Sequence, residues 1–293
     1  MRAQSEAATP VNFRRALAAL FAFAGLAGGL AHAAGGSPDA TGAPSGAKWV
    51  SSARSQARLI DGGLIDGARF AGVQISLAGA AVTYWRDPGE AGAPPTFDFA
   101  GSQNLLDARI LYPQPARIDE GGVEAFGYRR EVVFPIAVTA RDKKLPIVLD
   151  LALDYAVCEA ICLPVRARLR LDLPPEPQAD APTRLLLAQA LKTIPRALDS
   201  TQAKALAQIT PFAGENGKPQ WLLRLLQDRA ETIFVEAPPG FYVESRPAGE
   251  SNVFLLTLLD HPTGRPLPEA PVRVTVAGPE PAEFELALPQ GRK

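Results

Sequence analysis

From about Trp49 to Pro174, apolar residues recur at every second position in short runs separated by Gly, Pro and Asp. Val73 to Leu77, Ala108 to Leu111 and Val132 to Val138 are such runs. A period of two places successive side chains on opposite faces of a strand, so many short alternating runs predict an antiparallel β-sandwich. Val132, Phe134, Ile136 and Val138 share one face of their strand. Pro135 has no N–H to give to a ladder and predicts an edge or a bulge there. The longest runs are Ile147, Leu149, Leu151, Leu153, Tyr155 and Val157, then Leu163, Val165, Ala167, Leu169, Leu171 and Leu173.

The stretch 175–182 is rich in proline and has the composition of a linker. Thr183 is expected to open a helix, with Leu186, Ala190 and Leu191 at helical spacing until Pro195 interrupts it, and Ala203 to Ile209 is expected to continue it. Short strands then return at Trp221–Leu226, Thr232–Val235, Val253–Leu259, Val272–Val276 and Phe284–Leu288. The expected organisation is a sandwich over 49–174, the linker, and a second, smaller β-domain over 183–293 with an N-terminal helix.

At the N-terminus, Arg14 and Arg15 precede an apolar run from Ala16 to Leu30, followed by Ala31-His32-Ala33. This pattern predicts a secretory signal peptide over 1–33, and the Gly, Ser, Pro and Ala of 34–48 predict a flexible leader. No later segment is long and apolar enough for a membrane helix. The chain is expected to be exported, in a compartment where disulfides persist.

Composition narrows the chemistry. Among 293 residues there are two His, two Cys and one Met, the initiator. Ser-His-Asp hydrolysis, two-His zinc sites and Met-rich copper sites need residues that are hardly present. With 30 basic and 31 acidic side chains, no global field exists to attract nucleic acid. No cofactor or metal site is expected, and the two cysteines are the candidate chemistry.

Cys158 and Cys162 have Glu159-Ala160-Ile161 between them. On one regular strand, residues four apart lie about 13 Å from each other, beyond the ~4.4–6.8 Å Cα separation usual for a disulfide. A bridge therefore needs a turn. Folding the chain about Ala160 sets Cys158 opposite Cys162, Asp154 opposite Arg166, Leu151 opposite Leu169, Asp150 opposite Arg170 and Leu149 opposite Leu171. A slip of one pair in one direction would set Asp150 against Asp172, a repulsive contact. Such a bridge has three readings: a structural disulfide, a redox couple, or two thiolates for a soft metal. Chain entropy gives a bridge across so short a loop only ~2 kcal/mol, and the hairpin already holds its ends together. Exposure at a hairpin tip suits thiol exchange. The metal reading lacks a Met or a nearby His to complete a site.

The stretch Leu153-Asp154-Tyr155-Ala156-Val157-Cys158-Glu159-Ala160-Ile161-Cys162-Leu163-Pro164 resembles the active-site hairpin of the periplasmic N-terminal domain of the thiol:disulfide interchange protein DsbD, especially its ScsB-type relatives. Tyr84-Trp85-Arg86-Asp87-Pro88-Gly89, with Pro94-Pro95 and Phe97-Asp98, and Phe126-Gly127-Tyr128-Arg129-Arg130-Glu131-Val132-Val133-Phe134-Pro135 resemble further blocks of that domain. The resemblance covers about Trp49 to Pro174. It implies an immunoglobulin-like fold, Cys158 and Cys162 as a redox pair with Cys162 favoured as the attacking thiol, and periplasmic thioredoxin-fold partners. It also implies a loop bearing an aromatic residue over the disulfide, for which Phe126 and Tyr128 are candidates. Tyr155 shares the side of Leu153 and Val157 and is expected in the core, as support. DsbD itself has five residues between its cysteines, and its membrane and thioredoxin domains have no counterpart here, so a separate membrane electron donor is expected. The competing reading is a non-enzymatic β-sandwich binding module with a structural disulfide, in metal-stress tolerance.

Overall fold

A computed structural model describes residues 48–213, 217–226 and 230–290. The expected signal peptide and nearly all of the expected leader lie outside the described residues. The first eleven strands are β1 (Val50–Ser51), β2 (Ser55–Ile65), β3 (Ala68–Leu77), β4 (Val82–Gly89), β5 (Thr96–Asp98), β6 (Leu105–Ile110), β7 (Ala116–Asp119), β8 (Glu124–Arg129), β9 (Glu131–Ala140), β10 (Ile147–Cys158) and β11 (Cys162–Leu173). They form a five-stranded sheet, β1-β2-β3-β9-β6, and a six-stranded sheet, β11-β10-β4-β8-β7, in which β5 pairs with β10. This is the expected antiparallel, immunoglobulin-like sandwich. Its core is built from the inward positions of both sheets, among them Leu59, Val73, Trp85, Phe134, Leu151 and Leu153, all fully buried.

The β10–β11 hairpin has the register its sequence predicts, from Ile147 opposite Leu173 to Cys158 opposite Cys162. The charged face differs in one detail. Asp154 pairs with Arg166 at 3.5 Å, but Asp150 binds Arg168 at 2.9 Å, on the diagonal, and Arg170 turns to Asp172 at 3.8 Å. Strand twist brings one diagonal neighbour as close as the residue directly opposite, so register and ion-pair partner need not coincide.

Pro135 corrects another expectation: β9 is an interior strand, between β3 and β6. The last residue of β6, Ile110, pairs with Ile136, and the Pro135 carbonyl accepts from the Leu111 N–H at 2.8 Å. In an antiparallel strand the N–H and C=O of one residue point to the same side. The missing donor therefore faces the end of β6, where little of the ladder remains to be lost.

The rest of the described chain comprises α1 (Ala181–Lys192), β12 (Arg196–Ala197), α2 (Ser200–Leu206), β13 (Ala207–Phe212), β14 (Gln220–Leu225), β15 (Thr232–Glu236), β16 (Tyr242–Pro247), β17 (Val253–Asp260), β18 (Val272–Ala277) and β19 (Ala282–Leu286). Helix α1 starts two residues before Thr183, because the Asp180 carboxylate accepts from the Thr183 N–H at 2.7 Å and caps it. It packs on the outer face of the first sandwich, where Leu187 meets Ile60 and Val133. The expected continuation through Ile209 does not occur. Asp199 caps a new helix by accepting from the Gln202 N–H, while its own N–H donates to the Gln202 side chain, and at Ala207 the chain becomes strand, pairing Ala207 with Leu225 and Ile209 with Leu223. The ladder satisfies backbone groups that a longer helix would have paired internally.

Strands β12-β19-β18-β15 and β13-β14-β17-β16 form two four-stranded sheets around a core that includes Trp221, Leu223, Ile233, Leu256 and Val274. Phe234 and Ala277 instead join the core of the first sandwich. Phe234 lies 5.7 Å from Trp85 and 4.9 Å from Phe126 between ring centroids. Around it, Arg86 binds Glu236 at 2.7 Å and Glu283 at 2.6 Å. Burial works against the Arg86 charge, but the two carboxylates outweigh it and raise its pKa further.

Candidate redox site

Cys158 and Cys162 are bonded to each other, S–S 2.04 Å, at the tip of the β10–β11 hairpin. Their exposure differs. Cys158 is 2 % exposed, Cys162 is exposed, and Ile161 beside it is 73 % exposed. The tip is tethered by an ion pair between Glu159, in the turn, and Arg54, before β2.

The sulfurs lie on the outer face of the six-stranded sheet. Cys158 is paired across the ladder with Val82, and Val82 with Arg129, so this row of side chains shares one face. A small apolar cluster covers Cys158 there: Val82, Tyr84, Ile118 and Ala125. Tyr84 is fully buried. Its hydroxyl lies 3.7 Å from the Cys162 Sγ and donates to the Glu120 carboxylate, 2.9 Å from each oxygen. The Glu120 carboxylate and both sulfurs lie within 4.8 Å of one another. Burial, then the hydrogen bond and charge of Glu120, raise the Tyr84 pKa well above that of a free phenol. Tyr84 therefore stays protonated, with its one proton committed to Glu120.

Two glycines make this arrangement possible. Gly92 lies on the Tyr84 ring at φ +91°, and a Cβ there would come within 2.2 Å of the ring. Gly127 of β8 faces Tyr84 across the ladder, and a Cβ on it would come within 2.1 Å of the Thr83 carbonyl oxygen. Backbone cannot yield to that contact as a flexible side chain could.

Of the remaining residues singled out from the sequence, Tyr155 is a buried core residue whose hydroxyl lies 2.8 Å from the Ser55 Oγ. Phe126 and Tyr128 point to the opposite face of the sheet from the sulfurs, into the main core. Phe126 meets Phe234, while Tyr128 packs edge-on to Phe134 at 5.4 Å and donates to the Pro113 carbonyl at 2.8 Å. The groups brought to the bridge are Tyr84 and Glu120. Tyr84 stands within a sequence block shared with the resembling family. Glu120 precedes Gly121-Gly122, a turn signal, but nothing in that signal says what the turn faces. With both sulfurs bonded to each other, the oxidised site offers no thiolate to a metal.

Residues 64–174 match the family model described as thiol:disulfide interchange protein DsbD, N-terminal. Among solved structures, the crystal structure of the N-terminal periplasmic domain of ScsB from Proteus mirabilis matches with a TM-score of 0.66 at 22 % identity, covering 85 % of this chain and 100 % of that one. No curated protein matches in a sequence search. The described residues contain no helix long and apolar enough to cross a membrane. The segment 64–174, which carries the bonded cysteine pair on its hairpin tip, is thus similar to the DsbD N-terminal family, whose description is thiol:disulfide interchange.

Proposed function

We propose that this protein is a periplasmic thiol–disulfide carrier that passes electrons through Cys158 and Cys162 to or from thioredoxin-fold partners, and that a separate membrane protein renews its dithiol. The asymmetry of exposure supports this reading best: a buried sulfur is bonded to an exposed one, with an exposed isoleucine alongside. Disulfide exchange needs a nearly linear approach to one sulfur and a leaving thiolate behind it. In the reducing direction the Cys162 thiolate attacks a partner disulfide, forming a mixed disulfide and releasing one partner thiol. Cys158 then attacks the Cys162 sulfur, releasing the second partner thiol and restoring the bridge. Two electrons pass to the partner, and the two thiol protons end on its sulfurs. Ile161 offers apolar surface to the docked partner.

A Cys158→Ala variant in the periplasm is expected to accumulate a mixed disulfide through Cys162 with a thioredoxin-fold protein, identified by mass spectrometry. Cys162→Ala, left with only the buried sulfur, is expected to trap far less. A purified bridge with a potential below about −300 mV, the range of inert structural disulfides, and no trapped species from either variant would sink the proposal.

A further inference from the structure

Strand β7 has two faces with different partners. Ile118 packs toward Cys158, and Glu120, at the start of the β7–β8 turn, reaches Tyr84 on the same side. Arg117 points the other way, into the second sheet pair. Its Nη2 donates to the Ile233 carbonyl at 2.7 Å, the Ser245 carbonyl at 2.9 Å and the Ser245 Oγ at 2.8 Å, and its Nε donates to the Thr232 Oγ1 at 2.9 Å. Its Nη1 pairs with Glu124, the first residue of β8. The guanidinium also lies 5.3 Å from the Phe126 ring centroid and 5.4 Å from that of Phe234. One planar fork thus ties both strands of this short hairpin to β15 and β16, a set of bonds that a lysine cannot reproduce. Strand β7 needs the support: among the described residues it is the edge of its sheet and pairs only with β8, through four residues.

We propose that Arg117 is a positioning residue through which the second sheet pair holds Glu120 beside the cysteine pair and thereby sets the reactivity of Cys162. The biological meaning of this device rests on the redox reading above, whereas its physical content does not. A carboxylate beside a thiol disfavours the thiolate, which is the nucleophilic form. Glu120 also engages the Tyr84 proton, which would otherwise be free to stabilise a Cys162 thiolate. Other charged groups on this face of the sheet are Glu159 in the hairpin turn, paired with Arg54, Asp154 and Arg166 further down the same hairpin, and Arg129 three strands away on the row of the cysteines.

The sign of the effect separates positioning from simple charge. Removing the Arg117 cation, with nothing else moved, makes a thiolate less favourable and slows alkylation. Releasing Glu120 from the bridge makes it more favourable and speeds alkylation. The test uses the full chain carrying Cys158→Ala, which leaves Cys162 as a free thiol whether or not the natural bridge is redox-active, with iodoacetamide as probe across pH. Glu120→Gln and Arg117→Ala are each expected to raise the alkylation rate near neutral pH about three- to tenfold, as for a thiol pKa lowered by half to one unit. The double variant is expected to gain little beyond either single one. The charge-neutral pair Thr232→Val with Ser245→Ala, in the second sheet pair, is expected to move the rate in the same direction by less.

A slower or unchanged rate in Arg117→Ala, no effect of Glu120→Gln, or full additivity of the two overturns the inference. If Arg117→Ala does not fold, the neutral pair decides: acceleration supports the inference and an unchanged rate overturns it. Failure of the redox reading shows separately, as an untrappable and unreducible bridge in the parent protein.

Discussion

Two hairpins meet at the disulfide, and they are held in place by different means. The β10–β11 hairpin pairs twelve residues on each strand, from Ile147 opposite Leu173 to the cysteines. Every second side chain of β10 from Leu149 to Tyr155 is core. Its register follows from its own alternation, since a shift by one residue would turn the apolar face to water. The β7–β8 hairpin pairs only four residues per strand, too few to specify its own position, and takes its place from contacts on either side. Ile118 and Ala125 pack toward Cys158, while Arg117 and Phe126 engage the second sheet pair. A long hairpin can thus place the two sulfurs on local information, whereas the groups that stand beside them come from an element positioned from a distance.

The largest expected effect tests the long hairpin. Leu151→Ala removes a fully buried side chain and is expected to cost about 2–5 kcal/mol in denaturant unfolding, while the alkylation rate of Cys162 in the Cys158→Ala background stays as in the parent. A changed rate at unchanged fold would mean that the two hairpins are not independent in the way described.

Gly127→Ala addresses the attachment of the short hairpin, because the added Cβ meets the Thr83 carbonyl and not a movable side chain. A loss on the order of 2–4 kcal/mol is expected, accompanied by a change in Cys162 reactivity. A melting temperature equal to that of the parent would show that β8 can shift without consequence.

Gly92→Ala acts one step further out. It places a methyl group against the Tyr84 ring at a left-handed backbone position and is expected to cost roughly 1–3 kcal/mol. The Tyr84 to Glu120 hydrogen bond should weaken, which amide exchange in the 120–123 turn would register as reduced protection.

The smallest effect is a pH dependence. The folded-state pKa of Tyr84 is raised by burial and by Glu120, so its contribution to stability is complete below the pKa of a free tyrosine, about 10, and declines above it. Tyr84→Phe is therefore expected to show a shallower fall in stability above pH 10 than the parent in denaturant midpoints. Parallel curves would contradict the assigned environment of the phenol.

Much of the first sandwich was legible because its information is local. Period-two alternation places Tyr155 in the core, and the order of charges along β10 and β11 opposes the register that sets Asp150 against Asp172. Legibility stopped where a residue's role depends on what ends beside it. Pro135 reads as an edge signal, yet it sits in an interior strand because β6 finishes at Ile110. Ala203 to Ile209 has helical composition but becomes strand at Ala207, where β14 supplies a ladder. Phe126 and Tyr128 neighbour each other's strand positions, and the parity that puts both in the main core puts Ala125 and Gly127 on the face of the sulfurs instead.

By itself the sequence determined the cysteine pair and its hairpin. Scarce His and Met left two cysteines as the chemistry, and alternation with charge order brought them opposite each other within a few residues of chain. Only the tertiary structure decided what stands over the bridge. Tyr84 lies 78 positions from Cys162 in sequence, and Glu120 reaches the site from the turn after β7, the strand that Arg117 holds against β15 and β16. Strand periodicity states which face a side chain takes. Which distant element fills the space on that face is settled by packing among parts of the chain that share no local signal.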